Sequence, residues 1–378
     1  MRLFAKRDRP HVPEVQTCTT ADRGIIPPLH LSDQPHEMRL YRALRDQVPV
    51  IDAAIMKLIR LLGEFTIKCA DNQAQTMMDR FVSQVSVGGT GTGLHTFICS
   101  YFDQLLTCGR AVGEIVTFED GGIAALYNAP DDAVTLRMGD SPVDVRIFPN
   151  DLCAKEIEHP ELICLTLLNP QPGTLRGTSI LSGLPFVSEL LMKIFRCVGQ
   201  NFERAGNVRY AVTYHPPAGT GAVGARQRVK EIAEEWSRAM RDKGRVCDFV
   251  SVGDVNIRAI GADSQIIDCD VPIRHVLEQI AAKLSIPPFL LGLSWSSTER
   301  MSSQQADILT SELEYYRSLL TPVIEKIARS YLYAQGVDPV VSVEWSNISL
   351  QDETELATAR LDNARAAQIE AALPEVNQ

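Results

Sequence analysis

The 378 residues are 45% hydrophobic and 22% charged, ordinary globular proportions with material for two or three packed units. The formal net charge of −10 argues against a chain built to grip nucleic acid, because such binding rests on Lys and Arg neutralising phosphates. It does not exclude a surface past which DNA slides, and its plainest meaning is solubility. No run of eighteen apolar residues is present, which excludes an evident membrane helix, and the basic opening Met1 to Pro10 lacks the apolar segment of a secretory signal.

Residues 1–36 carry Pro, Thr, Asp and Gly without periodicity and read as an extended arm, suited to lying on a neighbouring subunit. Glu37 to Leu62 is helical with a break near Pro49, and Ile51, Ile55, Leu58 and Leu62 form one face. Gly63 ends it. Glu64 to Cys69 reads as a short strand, and Asn72 to Val87 as a helix with Met77, Phe81, Val82 and Val85 inward.

Gly88-Gly89-Thr90-Gly91-Thr92-Gly93 invites comparison with a phosphate loop, since glycines let backbone N–H groups crowd an anion at a helix start. The Walker pattern needs Lys and then Ser or Thr after its last glycine, and Leu94 and His95 stand there instead. A flexible turn before a helix over 94–108 accounts for it, with Phe97, Tyr101, Leu105 and Cys108 on one side and Gly109 as the stop. Ala111 to Phe118 alternates as a strand and turns through Glu119-Asp120-Gly121-Gly122 into Ile123 to Tyr127, a β-hairpin. Asp131 to Arg137, Val143 to Phe148 and Glu161 to Leu168 read as further strands. Residues 37–170 thus form an α+β unit with a mostly antiparallel sheet.

Asn169-Pro170-Gln171-Pro172-Gly173 breaks the chain, and Leu175-Arg176-Gly177-Thr178-Ser179 leads into a long helix lined by Leu184, Val187, Leu191, Ile194, Val198 and Phe202. At ~1.5 Å per residue its roughly 28 residues would span about 40 Å. A compact insert follows over 208–262: strand Val208 to Tyr214, helix Arg226 to Arg241, and strands Val246 to Val252 and Asn256 to Ile260. Its helix carries Arg226, Arg228, Lys230, Arg238 and Arg241, countered by Glu231, Glu234 and Glu235; this is either a solvated face or an interface. The next helix, Asp268 to Leu284, stops at Ser285-Ile286-Pro287-Pro288 because proline cannot continue the ladder. After Phe289 to Leu293 comes the polar run Ser294-Trp295-Ser296-Ser297-Thr298-Glu299-Arg300. A capping box at Ser302 and Gln305 opens a longer helix with the stripe Leu309, Leu313, Tyr316, Leu320, Ile324, Ile327 and Tyr331, and Pro322 inside it predicts a kink.

Nine cysteines show no CxxC pair, which fits reduced thiols in a cytoplasmic setting, and none of the seven histidines forms an HxH or HxxxH pair. No metal or cofactor is expected. An enzyme would need a constellation that is missing here: a Walker lysine, a metal-binding Asp pair with its supporting motif, or a GxSxG elbow.

From about Leu58 to Leu332 the chain resembles the portal proteins of tailed bacteriophages. The resemblance rests on Leu175-Arg176-Gly177-Thr178-Ser179-Ile180-Leu181 before the long helix and Asn201-Phe202-Glu203-Arg204-Ala205-Gly206-Asn207 closing it. It continues with Gln279-Ile280-Ala281-Ala282-Lys283-Leu284-Ser285-Ile286-Pro287-Pro288-Phe289-Leu290-Leu291-Gly292 and Leu320-Thr321-Pro322-Val323-Ile324-Glu325-Lys326-Ile327. The resemblance implies an α+β subunit of a ring, usually of twelve copies, at one capsid vertex. Double-stranded DNA would pass without sequence preference through its axial channel, with no membrane and no catalysis. Residues 37–170 would form the wing, 171–207 and 263–288 two long stem helices, and 208–262 a small α/β clip meeting the terminase motor or a head-completion adaptor. Residues 289–301 would hold the tunnel loop, with Ser294 to Arg300 at the constriction, 302–348 the long kinked helix returning to the wing, and 349–378 a short crown-like helix. Gly177, Ser179, Pro287, Pro288, Gly292 and Pro322 would be structural. The ring would meet the major capsid protein, belong to the virion and assemble in the host cytoplasm. Trp295 would either anchor the loop or face the channel, and Arg300 would meet phosphate or a neighbouring carboxylate. A non-conduit ring component of a phage head or tail, or a DNA-processing phage enzyme, is the alternative.

Overall fold

The computed structural model describes residues 36–348 apart from 142–143, 151–154, 207–208, 217–221, 242–253, 261–268, 294–298 and 338–339. Two compact units emerge: Met1–Ser188 with Val276–Gln378, and Glu189–His275.

The first unit opens with α1 (His36–Gln47) and α2 (Pro49–Leu61), divided at Pro49 as the sequence requires. Then follow β1 (Phe65–Cys69), α3 (Asn72–Gln84), β2 (Ser86–Val87), β3 (Gly91–Thr92) and α4 (Leu94–Cys108). Asp71 caps α3 by accepting from the Ala74 N–H at 2.8 Å. Its inward methionine is Met78, fully buried, rather than Met77, a one-residue error in helix phase. The glycine-rich stretch is the β2–β3 turn, with Gly88 and Gly89 both left-handed. Gly93 binds the Val85 carbonyl at 2.8 Å, so its N–H is engaged within the fold.

β4 (Arg110–Thr117), β5 (Ile123–Asn128), β6 (Val134–Met138), β7 (Val145–Pro149) and β8 (Ile163–Leu167) complete the strands before the break. One sheet has the order β3-β2-β5-β4-β8, antiparallel except for β2 beside β5, and β6 pairs with β7 in a separate two-stranded sheet. The apolar α4 forms the centre of this unit, with Leu94, Phe97, Ile98, Tyr101, Phe102, Leu105 and Leu106 all fully buried. Gly113 on β4 lets Phe97 lie against the sheet, because a Cβ there would sit 2.6 Å from the Phe97 ring.

The second unit holds most of α5 (Leu184–Gly206), then β9 (Arg209–His215), α6 (Ala222–Arg241), β10 (Asp254–Ile260) and the first part of α7 (Asp270–Lys283). β9 and β10 pair antiparallel from Arg209↔Ile260 to His215↔Asp254. The expected strand Val246 to Val252 lies outside the described residues, as does the C-terminal helix expected over 349–378. The two helices flanking this insert are unequal: α5 has 23 residues, whereas α7 has 14, an ordinary helix rather than a second long one.

The chain then returns to the first unit with α8 (Glu299–Ala334) and β11 (Val341–Trp345), which pairs antiparallel with β1. α8 starts three residues before the expected capping box. Its predicted stripe is buried from Leu309 to Ile327, and Tyr331 stacks on Phe81 at 4.1 Å between ring centres. Pro322 lies inside α8, and the helix continues past it to Ala334. Among the described residues no helix is long and apolar enough to cross a membrane.

Candidate functional site

The polar run that the sequence marks out is approached from α7 through two successive left-handed turns. At the end of α7, Ser285 takes φ +53°, its N–H bonds to the Ala282 carbonyl at 3.2 Å, and the Ile286 N–H reaches the Ala281 carbonyl at 3.1 Å. This is a Schellman motif, and its hydrophobic partners Ala281 and Ile286 are both buried. The helix is therefore closed by Ser285 before the prolines are reached. Pro287 and Pro288 then open the 3-10 turn Pro288–Leu291, which ends in the same way. Gly292 takes φ +75°, and Leu293 N–H bonds to the Pro288 carbonyl at 3.0 Å. The sequence marked Gly292 as structural but gave no signal for Ser285, since a serine rarely adopts this conformation.

Ser294, Trp295, Ser296, Ser297 and Thr298 lie outside the described residues. Glu299 and Arg300 are the first two residues of α8. Arg226, Arg228 and Lys230 are exposed on α6, where Arg228 pairs with Glu231 at 3.0 Å, a solvated helix pair. Arg238 and Arg241 belong to the same helix by backbone position.

Gly177 and the buried Ser179 form a close-packed lock within the Leu175 to Leu181 motif. The Gly109 carbonyl, at the left-handed end of α4, accepts from the Leu168 N–H at 2.8 Å, and the Leu168 carbonyl accepts from the Thr178 N–H at 2.7 Å. A Cβ on Gly177 would collide with that Gly109 carbonyl, and one on Gly109 would lie 2.6 Å from the Ser179 nitrogen. Ser179 Oγ, buried, donates to the Thr107 carbonyl at 2.7 Å and stands 3.2 Å from the Leu106 carbonyl. These are carbonyls that the last turn of α4 would otherwise leave without partners. The motif therefore caps α4 rather than opening α5. Gly183 at φ +87° precedes Leu184, so α5 starts later than the sequence implied.

One residue that sequence reasoning missed ties α8 to the rest of its unit. Arg317, 3% exposed, donates from Nε and Nη2 to the Leu62 carbonyl at 2.9 and 2.6 Å, and from Nη1 to Glu314 at 2.9 Å. Its guanidinium lies 5.1 Å from the Trp345 ring centre, and Trp345 Nε1 donates to Thr321 Oγ1 at 3.0 Å. An arginine among apolar positions of a helical stripe was the available signal. A second polar cluster joins α1 to α4: Arg45 binds Asp52 at 2.7 Å and also Asp103, while Arg42 binds the fully buried Asp131. Burial pushes the Cys108 thiol up to about 12, and the neighbouring Asp131 carboxylate adds to that shift; burial, opposed by the charge of Lys326, takes Cys164 to about 11. Such thiols are protonated and inert at neutral pH. Among the described residues no group of His, Cys, Asp and Glu could hold a metal ion.

Large apolar side chains are exposed on α5: Phe186 is 77% and Phe202 59% exposed, with Leu190 and Phe195 also open. Surfaces of this kind mark partner contacts when they gather on one element.

No protein-family model matches the sequence, and no curated protein matches it. Its fold does match solved structures. A chain in the neck of an empty gene transfer agent particle, computed with C6 symmetry, aligns at a TM-score of 0.63 with 16% identity, covering 90% of this chain and 92% of that one. A chain in the neck of the native particle, computed with C12 symmetry, aligns at 0.62 with 15% identity, covering 92% of each. An HK97-family phage portal protein from Corynebacterium diphtheriae aligns at 0.42 with 13% identity over 81% of this chain and 94% of that one.

Proposed function

We propose that this chain, which has the fold of chains in gene transfer agent necks, is a portal subunit. It forms a ring at one capsid vertex of a phage or phage-like particle and provides a passage for double-stranded DNA. The observation that carries the reading is a fold match over nine tenths of both chains, reached independently of sequence identity. The exposed phenylalanines of α5 support it, because a ring subunit must present apolar surface to its neighbours.

In this reading the protein supplies geometry rather than chemistry. The loop over 294–298, held between the left-handed turn at Gly292 and the start of α8, lines the narrowest part of the channel. One Glu and one Arg across 292–301 leave it near neutral, which keeps the hold on phosphates weak enough for movement in both directions. The module around β9, α6 and β10 is the clip, and Arg226, Arg228 and Lys230 with Arg238 and Arg241 offer a charged face to a packaging motor or adaptor. The remaining wing-like unit faces the capsid.

Electron microscopy of the purified protein tests this directly. Top views should show closed twelvefold rings with a central hole wide enough for a duplex. A stable compact monomer at all concentrations would sink it.

A further inference from the structure

The first unit contains a cleft of about 960 Å³ between the start of α1, the start of β4, strand β6 and the segment 171–182. Two cations line it. Arg110, the first residue of β4, donates from Nη2 to the Asp131 carbonyl, while its buried Nε has no hydrogen-bond partner among the described residues. Arg176 is exposed. Burial holds the Arg110 guanidinium below the usual arginine range, and the charge of Arg176 pushes the same way, against the pull of Asp131. Asp132 also lines the cleft and acts on Arg110, without giving Nε an acceptor. A guanidinium N–H in this position, beside a second cation, is stabilised by a carboxylate. Met38, Leu136, Met138 and Leu175 supply an apolar part of the lining, and Met138 is half exposed.

The complementary surface lies at the far end of the same strand. Seven steps of about 3.4 Å along β4 separate Arg110 from Thr117 by about 24 Å. There the β4–β5 hairpin closes on its own backbone. Phe118 N–H bonds to the Gly122 carbonyl at 2.8 Å, Gly121 N–H to the Phe118 carbonyl at 3.0 Å, and Asp120 Oδ1 accepts from Gly122 N–H at 2.9 Å. The register shifts between Val116 and Thr117, a bulge that twists the strand just before the tip. On this fixed turn Phe118 is 50% exposed, next to the exposed Glu119 and Asp120. A large aromatic held open beside two acids is surface suited to a partner with an apolar and cationic recess.

We propose that the β4–β5 hairpin tip of one copy enters the cleft of the next copy, with Phe118 against Met38 and Met138 and the Asp120 carboxylate on Arg110 and Arg176. The inference rests on the ring reading given above and names a contact within it. An interface that joins two different faces of identical chains is heterologous, and it closes into a ring when every copy both gives and receives. Plug and socket at opposite ends of one strand meet that condition, since the strand holds them too far apart to meet within a single chain. The cleft has the volume of a cube about 10 Å on a side, room for a tip whose two strands lie about 5 Å apart. Methionine sulfur packs well against an aromatic ring, and a carboxylate that accepts one backbone N–H retains acceptor capacity for a guanidinium.

Sedimentation velocity of the full chain over a range of concentrations tests this with Asp120→Arg, Arg176→Asp, the two combined, and Phe118→Ser. All three side chains are exposed, so the swaps leave the core untouched. The concentration at which half the protein is in rings should rise at least about tenfold for each single variant. The combined charge swap should bring it back to within about threefold of wild type. Single variants that assemble like wild type overturn the proposal and leave the portal reading in place. Single variants that weaken assembly without recovery in the combined swap overturn the pairing of Asp120 with the cleft. If a charge swap lowers the thermal midpoint, Phe118→Ser decides: wild-type assembly of that variant overturns the proposal. Wild-type protein that forms no rings at any concentration overturns the portal reading itself, and this contact with it.

Discussion

At the scale of single residues, two glycines and a serine decide whether α4 can end where it does. Gly177→Ala places a methyl group against the Gly109 carbonyl, a backbone atom that cannot swing aside. It should destabilise the protein by about 3 kcal/mol or more. Ser179→Ala leaves the Thr107 carbonyl without its donor and should cost about 2 kcal/mol. Thermal unfolding should rank the variants in that order, and a Gly177→Ala protein as stable as wild type would mean that the lock relaxes. The buried thiols carry a pH signature of known sign. Their folded pKa values are raised, so their contribution is fully present below pH ~9, where unfolded thiols are protonated, and is lost as pH rises toward about 11 and 12. Urea midpoints should therefore fall more steeply between pH 9 and 11 for wild type than for Cys108→Ala/Cys164→Ala. Parallel curves would place the alkaline sensitivity elsewhere.

At the scale of elements, the approach to the 294–298 loop is set by two left-handed residues of different kinds. Among the described residues nothing lies within 4 Å of a Cβ built on Gly292, and its φ of +75° is what requires glycine. Gly292→Ala should destabilise by about 1 kcal/mol through backbone strain, whereas Ser285→Gly, which relieves the same strain at a higher unfolded-state entropy, should lie within about 0.5 kcal/mol of wild type. Chemical denaturation reads both. Opposite ranking would mean that Ser285 gains from contacts its conformation does not reveal. Arg317 works at this scale as well. It supplies the donor that the end of α2 lacks, and its position on α8 brings a helix more than 250 residues later in the chain to that carbonyl.

At the scale of the whole molecule, the proposed passage turns on the residues 294–298 between Leu293 and the start of α8. Deleting Ser294 to Thr298 should leave ring assembly intact and lower DNA packaging or retention in particles. Packaging at the wild-type level would remove the channel role while leaving the ring in place, separating the conduit from a purely structural ring component. The net charge of −10 belongs to this scale too, since it acts on the field around the molecule and not on the fold.

Periodicity and turn chemistry determined much of this protein from the sequence alone. Proline at 49 divided α1 from α2, glycines at 109 and 121 placed a helix end and a hairpin turn, and the stripe from Leu309 to Ile327 placed α8 against a core. These signals are local, each set by one residue's φ range or by a 3.6-residue spacing, so they survive without knowledge of the neighbours. The tertiary structure decided what depends on partners distant in sequence. It turned the Leu175 to Leu181 motif from a helix start into the cap of α4, closed α7 on Ser285, and seated Arg317 under the end of α2. A carbonyl without a donor carries no mark in its own sequence, because the residue that satisfies it can come from anywhere in the chain.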